Sequence, residues 1–127
     1  MYILDSDIVI WILRKQDLLV SAIERLSSRG STSVSTITVA EVYKNAFPTE
    51  LLGIEDFFTN QWVIPVSLEI AREAGLYWNQ FHKKLANLST LDCIIAATAK
   101  LNRLTIVTMN TRHFPMSDIK VMNPLKS

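Results

Sequence analysis

The run "LTIVT", residues 104–108, restricts the fold more than any other stretch, because every residue in it is apolar or β-branched. A strand with no alternating polar face has to be covered on both sides, as in a parallel sheet with helices above and below. Four further short runs have strand character: "YIL" ending at Asp5, "SVSTI" from Ser33, "WVIPV" from Trp62 and "IKVM" from Ile119. The proline in "WVIPV" points to an edge or terminal position, since it cannot donate to a sheet ladder.

Between these runs the apolar residues fall at helical spacing. Ile8, Val9, Ile12 and Leu13 form one stripe, and "DLLVSAIERLSS" a second that is expected to stop at Gly30. "TVAEVYKNAF" places Val39, Val42, Tyr43 and Ala46 on one face and is ended by Pro48. "TELLGIEDFFTN" is a helix weakened by Gly53, and "SLEIAREAGLYWNQFHKK" carries Ile70, Ala74, Tyr77, Trp78 and Phe81 as a long amphipathic helix. "LSTLDCIIAATAK" is the last, ending near Leu101 and Asn102. Strands alternating with helices predict an α/β fold, a parallel sheet of four to five strands sandwiched between helices. With 127 residues, one domain spanning 1–127 is expected.

Composition narrows the function classes. Thirteen Lys and Arg against 12 Asp and Glu leave a charge of +1, so no general attraction to polyanions exists and any nucleic acid must be held by local groups. The single Cys93 allows no internal disulfide and no Cys/His zinc pattern, which fits a cytoplasmic setting. "MYILDSDIVIWILRK" has acids where a basic leader would stand, and its apolar run is too short to span a bilayer, so neither export nor anchoring is expected.

The acids carry the chemistry. Asp5 ends the first strand, Glu41 is expected in the first turn of the helix after the second, Asp92 opens the last helix, and Asn110 follows "LTIVT". In a parallel sheet, strand ends and helix starts share one rim, and that rim binds ligands where strand order reverses. Each acid also has a plain structural reading: Thr38 with Glu41 and Ser89 with Asp92 match capping-box spacing, and Asp5 can cap its helix. Capping does not require the acids to share a crevice. Neighbouring carboxylates repel until a proton or a cation relieves them, and an oxygen-lined, sulfur-free cleft suits magnesium or manganese. Such an ion promotes phosphodiester hydrolysis by drawing in phosphate and lowering the pKa of water.

On "YILDSDIVIWIL", "STITVAEVYK" and "LDCIIAATAKLNRLTIVTMNTRHF", the chain resembles the PIN-domain ribonucleases, and among them the VapC-type toxins of toxin-antitoxin pairs. The resemblance implies a magnesium-dependent endoribonuclease (manganese serving as well) that cuts RNA, is inhibited by a cognate antitoxin and is a homodimer. It makes Asp5 and Asp92 the metal ligands and Glu41 the acid that completes the cluster. Asn110 stands where many relatives have a fourth acid, and Ser6 and Thr108 where small polar groups support the cluster.

Other residues have structural readings. His113 is expected to be structural, His82 to favour a helix C-terminus, Asp7 to serve the first helical turn, and Cys93 to be buried packing. Trp11, Trp62 and Trp78 are expected as core or interface anchors. Arg14, Lys15, Lys44 and Arg112 are solvated cations or phosphate contacts, Lys44 being placed to pair with Glu41. An apolar antitoxin groove is expected near the first helices, Trp11, Phe57 and Phe58. Two other functions compete: a non-catalytic RNA- or protein-binding module of the same fold, and a phosphoacceptor domain. The latter needs an Asp after the third strand, where "WVIPVS" has none.

Overall fold

The structure is a computed structural model that describes residues 1–126. Tyr2–Leu4 (β1), Thr32–Ser35 (β2), Trp62–Ile64 (β3), Thr105–Val107 (β4) and Lys120–Met122 (β5) form one sheet. All its pairings are parallel and the order is β3-β2-β1-β4-β5. The "LTIVT" strand is therefore internal, and the proline-containing "WVIPV" strand is an edge. Strand order reverses between β1 and β4, so the crevice at their carboxyl ends is the switch point.

Six α-helices cover the sheet among the described residues: Ser6–Leu13 (α1), Asp17–Ser27 (α2), Thr36–Lys44 (α3), Leu51–Thr59 (α4), Leu68–Phe81 (α5) and Thr90–Asn102 (α6). Strand alternation divides the core into two layers. Ile3 and Ile106 face a cluster with Ile70, Ala74, Tyr77, Ile95 and Ala96 of α5 and α6. Their neighbours Leu4 and Val107 face the opposite cluster, with Ile8, Val9, Leu19, Ile23, Val42 and Ile54 of α1 to α4. Ile3, Leu4, Ile106 and Val107 are all fully buried. Two-sided burial is the physical meaning of a strand without a polar face.

Two helix termini differ from expectation. The third helix starts at Thr36 rather than Thr38, because the Ser35 hydroxyl caps it by accepting the amide of Ile37 at 3.1 Å. The Thr38–Glu41 capping box is therefore not formed, and Glu41 lies in the second turn, the first turn holding no acid. The second helix ends at Ser27, with Ser28 as its cap. Gly30 has no positive φ; its hydrogen matters because a Cβ there would come within 2.8 Å of the Met1 nitrogen.

Thr38 is completely buried and its hydroxyl has no hydrogen-bond partner among the described residues. An unsatisfied buried hydroxyl costs stability that an isosteric methyl does not. Thr38→Val is expected to stabilise the protein by about 1 kcal/mol, read as a higher midpoint in urea unfolding at unchanged m-value.

Candidate active site at the β1–β4 switch point

Asp5 leaves β1 at the rim and caps α1. Its backbone amide donates to the Val107 carbonyl of the neighbouring strand at 3.0 Å, which locks its Cα to the end of β4. Its Oδ1 accepts the Ser6 amide at 2.9 Å and its Oδ2 the Thr108 hydroxyl at 2.9 Å. Only 8% of its surface is exposed. Burial, then the negative charge of Asp7, then that of Asp92, push its carboxyl up to about 6 against the two hydrogen bonds that favour ionisation.

Asp7 has a larger part than a first-turn acid. Its Oδ1 accepts the Ile8 amide at 2.7 Å, while Oδ2 crosses to the segment after β4 and accepts the Met109 amide at 3.0 Å and the Asn110 side-chain amide at 3.1 Å. Burial raises its pKa despite these bonds. Asn110 is thus tied to the rim through Asp7, and Thr108 also donates to Asp7, more weakly, at 3.4 Å. Sequence reading missed this strut; 102 residues separate Asp7 from Met109 and no local pattern signals the contact.

Asp92 sits in the first turn of α6, its amide held by the Ser89 hydroxyl at 3.0 Å, which is the capping half of the expected box. Its carboxylate lies 3.7 Å from His113 Nδ1, beyond hydrogen-bond range. Among the described residues no Lys or Arg forms a salt bridge with Asp5, Asp7, Glu41 or Asp92, so the expected Lys44–Glu41 pair is not made. Glu41 is half-buried on α3, and among the described residues its carboxylate makes no hydrogen bond; the Asn45 side chain donates to its backbone carbonyl at 3.4 Å. Among the described residues no three His, Cys, Asp or Glu side chains lie close enough to enclose one ion.

The donor chemistry fits a hard, water-retaining cation. Magnesium takes one or two protein carboxylates directly and keeps several waters, whereas a zinc site needs three or four nitrogen or sulfur donors. Cys93 is fully buried, and burial, then the charge of Asp92, push its thiol up to about 11, so it is a neutral packing group near neutrality. Next to the acids, Asn110, Arg112, His113, Asn87, Asn123 and Lys126 line an open polar cleft of about 520 Å³.

Away from the rim, His82 caps α5, its Nδ1 2.8 Å from the Trp78 carbonyl and its ring stacked on Trp78 at 3.9 Å. None of the three tryptophans is a core residue; Trp11 is 47% exposed, Trp62 67% and Trp78 39%. Phe57 and Phe58 pack against the α1–α4 core and are only partly available to a partner.

A doubly covered parallel sheet with carboxylates at its switch point defines the class: an α/β domain with an acidic rim. The chain belongs to the PIN domain family, whose model matches residues 2–119. It is 31% identical over 120 residues to Ribonuclease VapC10 of Mycobacterium tuberculosis, covering 91% of this chain and 87% of that protein. It is 30% identical over 119 residues to Ribonuclease VapC2 of Haemophilus influenzae, covering 89% of each. Among solved structures, a toxin-antitoxin complex from Klebsiella pneumoniae superposes with a TM-score of 0.82 at 25% identity, covering 98% of both chains. Among the described residues no helix is long and apolar enough to cross a membrane.

Proposed function

We propose that the protein is a magnesium-dependent endoribonuclease, active with manganese as well, and the toxin of a toxin-antitoxin pair. The observation that supports this most is Asp5: a buried carboxylate at the switch point whose ionisation the charges of Asp7 and Asp92 oppose, with no cationic side chain bridged to it among the described residues. Charge of that kind is relieved by a proton or by a cation. Asp5 and Asp92 would hold the divalent ion, which when bound supplies charge neutralisation at the phosphate and a more acidic water.

The chain's own groups divide the remaining work. Thr108 and the Ser6 amide fix the Asp5 carboxylate, and Asp7 holds the Met109–Asn110 backbone against α1. Arg112 and Lys126, in the polar cleft, draw the RNA backbone toward the acids. Glu41 orients the attacking water from the α3 side, and Asn110, held by its side-chain amide, leaves its carbonyl oxygen to accept from substrate or water.

A cognate antitoxin is supported by the toxin-antitoxin complex that the fold matches and by the exposed apolar Leu18 on α2, Leu51 and Leu52 on α4, and Phe47 just before the 3-10 turn Pro48–Glu50. The homodimer and the cytoplasmic setting belong to the same reading, the latter supported by the free, buried Cys93. The alternative, a module that binds without cutting, is favoured by one observation: among the described residues, no three His, Cys, Asp or Glu side chains form a group that could hold a metal ion.

The deciding experiment incubates purified protein with structured and single-stranded RNAs in magnesium, in manganese and in excess chelator. Cleavage in both metals and none in chelator is expected, with activity restored by adding back magnesium. Cleavage that persists in chelator contradicts the metal requirement, and RNA binding without cleavage in either metal supports the alternative.

A further inference from the structure

Beside the polar cleft lies a second concavity of different character. Trp11, Gln16, Leu19, Met109 and Leu125 line it, its volume is about 140 Å³, and among the described residues no lining side chain is charged. Met109 belongs to both spaces, so the two share a wall whose backbone amide is held by Asp7. Trp11 is 47% exposed, on a helix whose Ile8 and Val9 are fully buried. Gln16 uses its Oε1 to accept the Leu19 amide at 2.8 Å, and its NH₂ group has no protein partner among the described residues.

We infer that this pocket is a nucleobase subsite: Trp11 stacks on an unpaired base of the RNA whose backbone lies in the adjoining cleft, and Gln16 offers a donor to that base's edge. The inference rests on the ribonuclease reading for its substrate, and deepens it by naming residues that select single-stranded RNA. Three features favour a base. The pocket is small and uncharged, as a stacked ring requires. It adjoins the cleft that carries Arg112 and Lys126, so a backbone phosphate and its own base are accommodated on the two sides of Met109. Its side-chain groups without a protein partner among the described residues, the Gln16 NH₂ and the Trp11 indole N–H, are donors, and every base presents acceptors at its edge. Aromatic stacking of this kind tolerates any base but requires it to be unpaired.

The test uses the full chain as wild type, Trp11→Ala, Trp11→Leu, Trp11→Phe and Asp5→Asn, with a short cleavable single-stranded RNA and a set carrying one abasic nucleotide at each position in turn. Trp11→Ala and Trp11→Leu, the latter keeping an apolar side chain without a π face, are expected to raise KM about 5- to 100-fold, with the loss falling on KM rather than kcat. Trp11→Phe is expected to stay within about threefold of wild type. One abasic position near the cut should weaken wild-type binding by the same factor and leave the Ala and Leu variants no weaker.

Unchanged KM in Trp11→Ala and Trp11→Leu, with Asp5→Asn inactive, would overturn the subsite and leave the nuclease standing. Equal sensitivity of wild type and Trp11→Ala to every abasic position would also overturn it, and would return Trp11 to a protein-contact role. If wild type cuts no RNA yet binds it in a Trp11- and base-dependent way, the subsite stands and the nuclease reading falls.

Discussion

Asp5→Asn is expected to yield a protein that is more stable and inactive. The rise of the Asp5 pKa from 3.8 to about 6 corresponds to roughly 3 kcal/mol of unfavourable ionisation at neutral pH. The neutral amide removes that penalty. Its single oxygen keeps only one of the two acceptor roles toward the Ser6 amide and the Thr108 hydroxyl, a loss of about 1 kcal/mol. A net gain on the order of 1–2 kcal/mol is expected in metal-free buffer near pH 7.5. Activity should fall by roughly a thousandfold or more, because the group proposed to hold the ion and relieve the phosphate charge has lost its own charge.

The same variant fixes a sign in the pH dependence. Between pH about 4 and 6 the folded protein holds a proton on Asp5 that the unfolded chain has released, so Asp5 lowers stability as pH rises through this window and its full penalty is present above it. The difference in stability between Asp5→Asn and wild type should therefore grow from pH 4 to 6 and then level off. Urea unfolding at several pH values measures it, and a difference that shrinks with rising pH would show that Asp5 is not desolvated. Saturating magnesium should narrow the gap by stabilising only the wild type.

Asp7→Ala is the second variant with a large expected effect, and it separates positioning from ligation. The carboxylate of Asp7 accepts the Ile8 and Met109 amides and the Asn110 side chain, joining α1 to the segment after β4. Removing it leaves partly buried donors without acceptors and frees that segment, at a cost of about 1–3 kcal/mol. It also removes the charge that, after burial, contributes most to the raised Asp5 pKa, so the Asp5 pKa should move back toward its ordinary value. Outer groups that orient metal-binding residues typically carry 10- to 100-fold in affinity or activity. A loss of about that size in kcat and in divalent-ion affinity is expected, milder in Asp7→Asn, which keeps one acceptor. A variant with wild-type affinity and kcat would reduce Asp7 to a helix-turn residue.

Short-range interactions were legible in the sequence and long-range ones were not. The strands and the edge position of β3 were readable because two-sided burial and a proline leave local marks in composition. Asp5 and the Ser89–Asp92 pair were readable because caps act over one to three residues. The start of α3 was misread because Thr36 and Ile37 are β-branched and prolong the strand pattern, whereas the Ser35 hydroxyl outweighs that preference by satisfying an orphan amide. Neither the Asp7 strut nor the pocket shared by Trp11, Met109 and Leu125 has a local signature. Both arise from the parallel β1–β4 pairing and the chain beyond β4, which join residues about a hundred positions apart.

Joint action of Asp5 and Asp92 on one divalent ion is the central claim, and a manganese titration followed by electron paramagnetic resonance addresses it most directly. Wild type should take up manganese at a site that magnesium displaces, and both Asp5→Asn and Asp92→Asn should lose it while remaining folded. Uptake unchanged in either variant, or no uptake by a wild-type protein that still cleaves RNA, would contradict it.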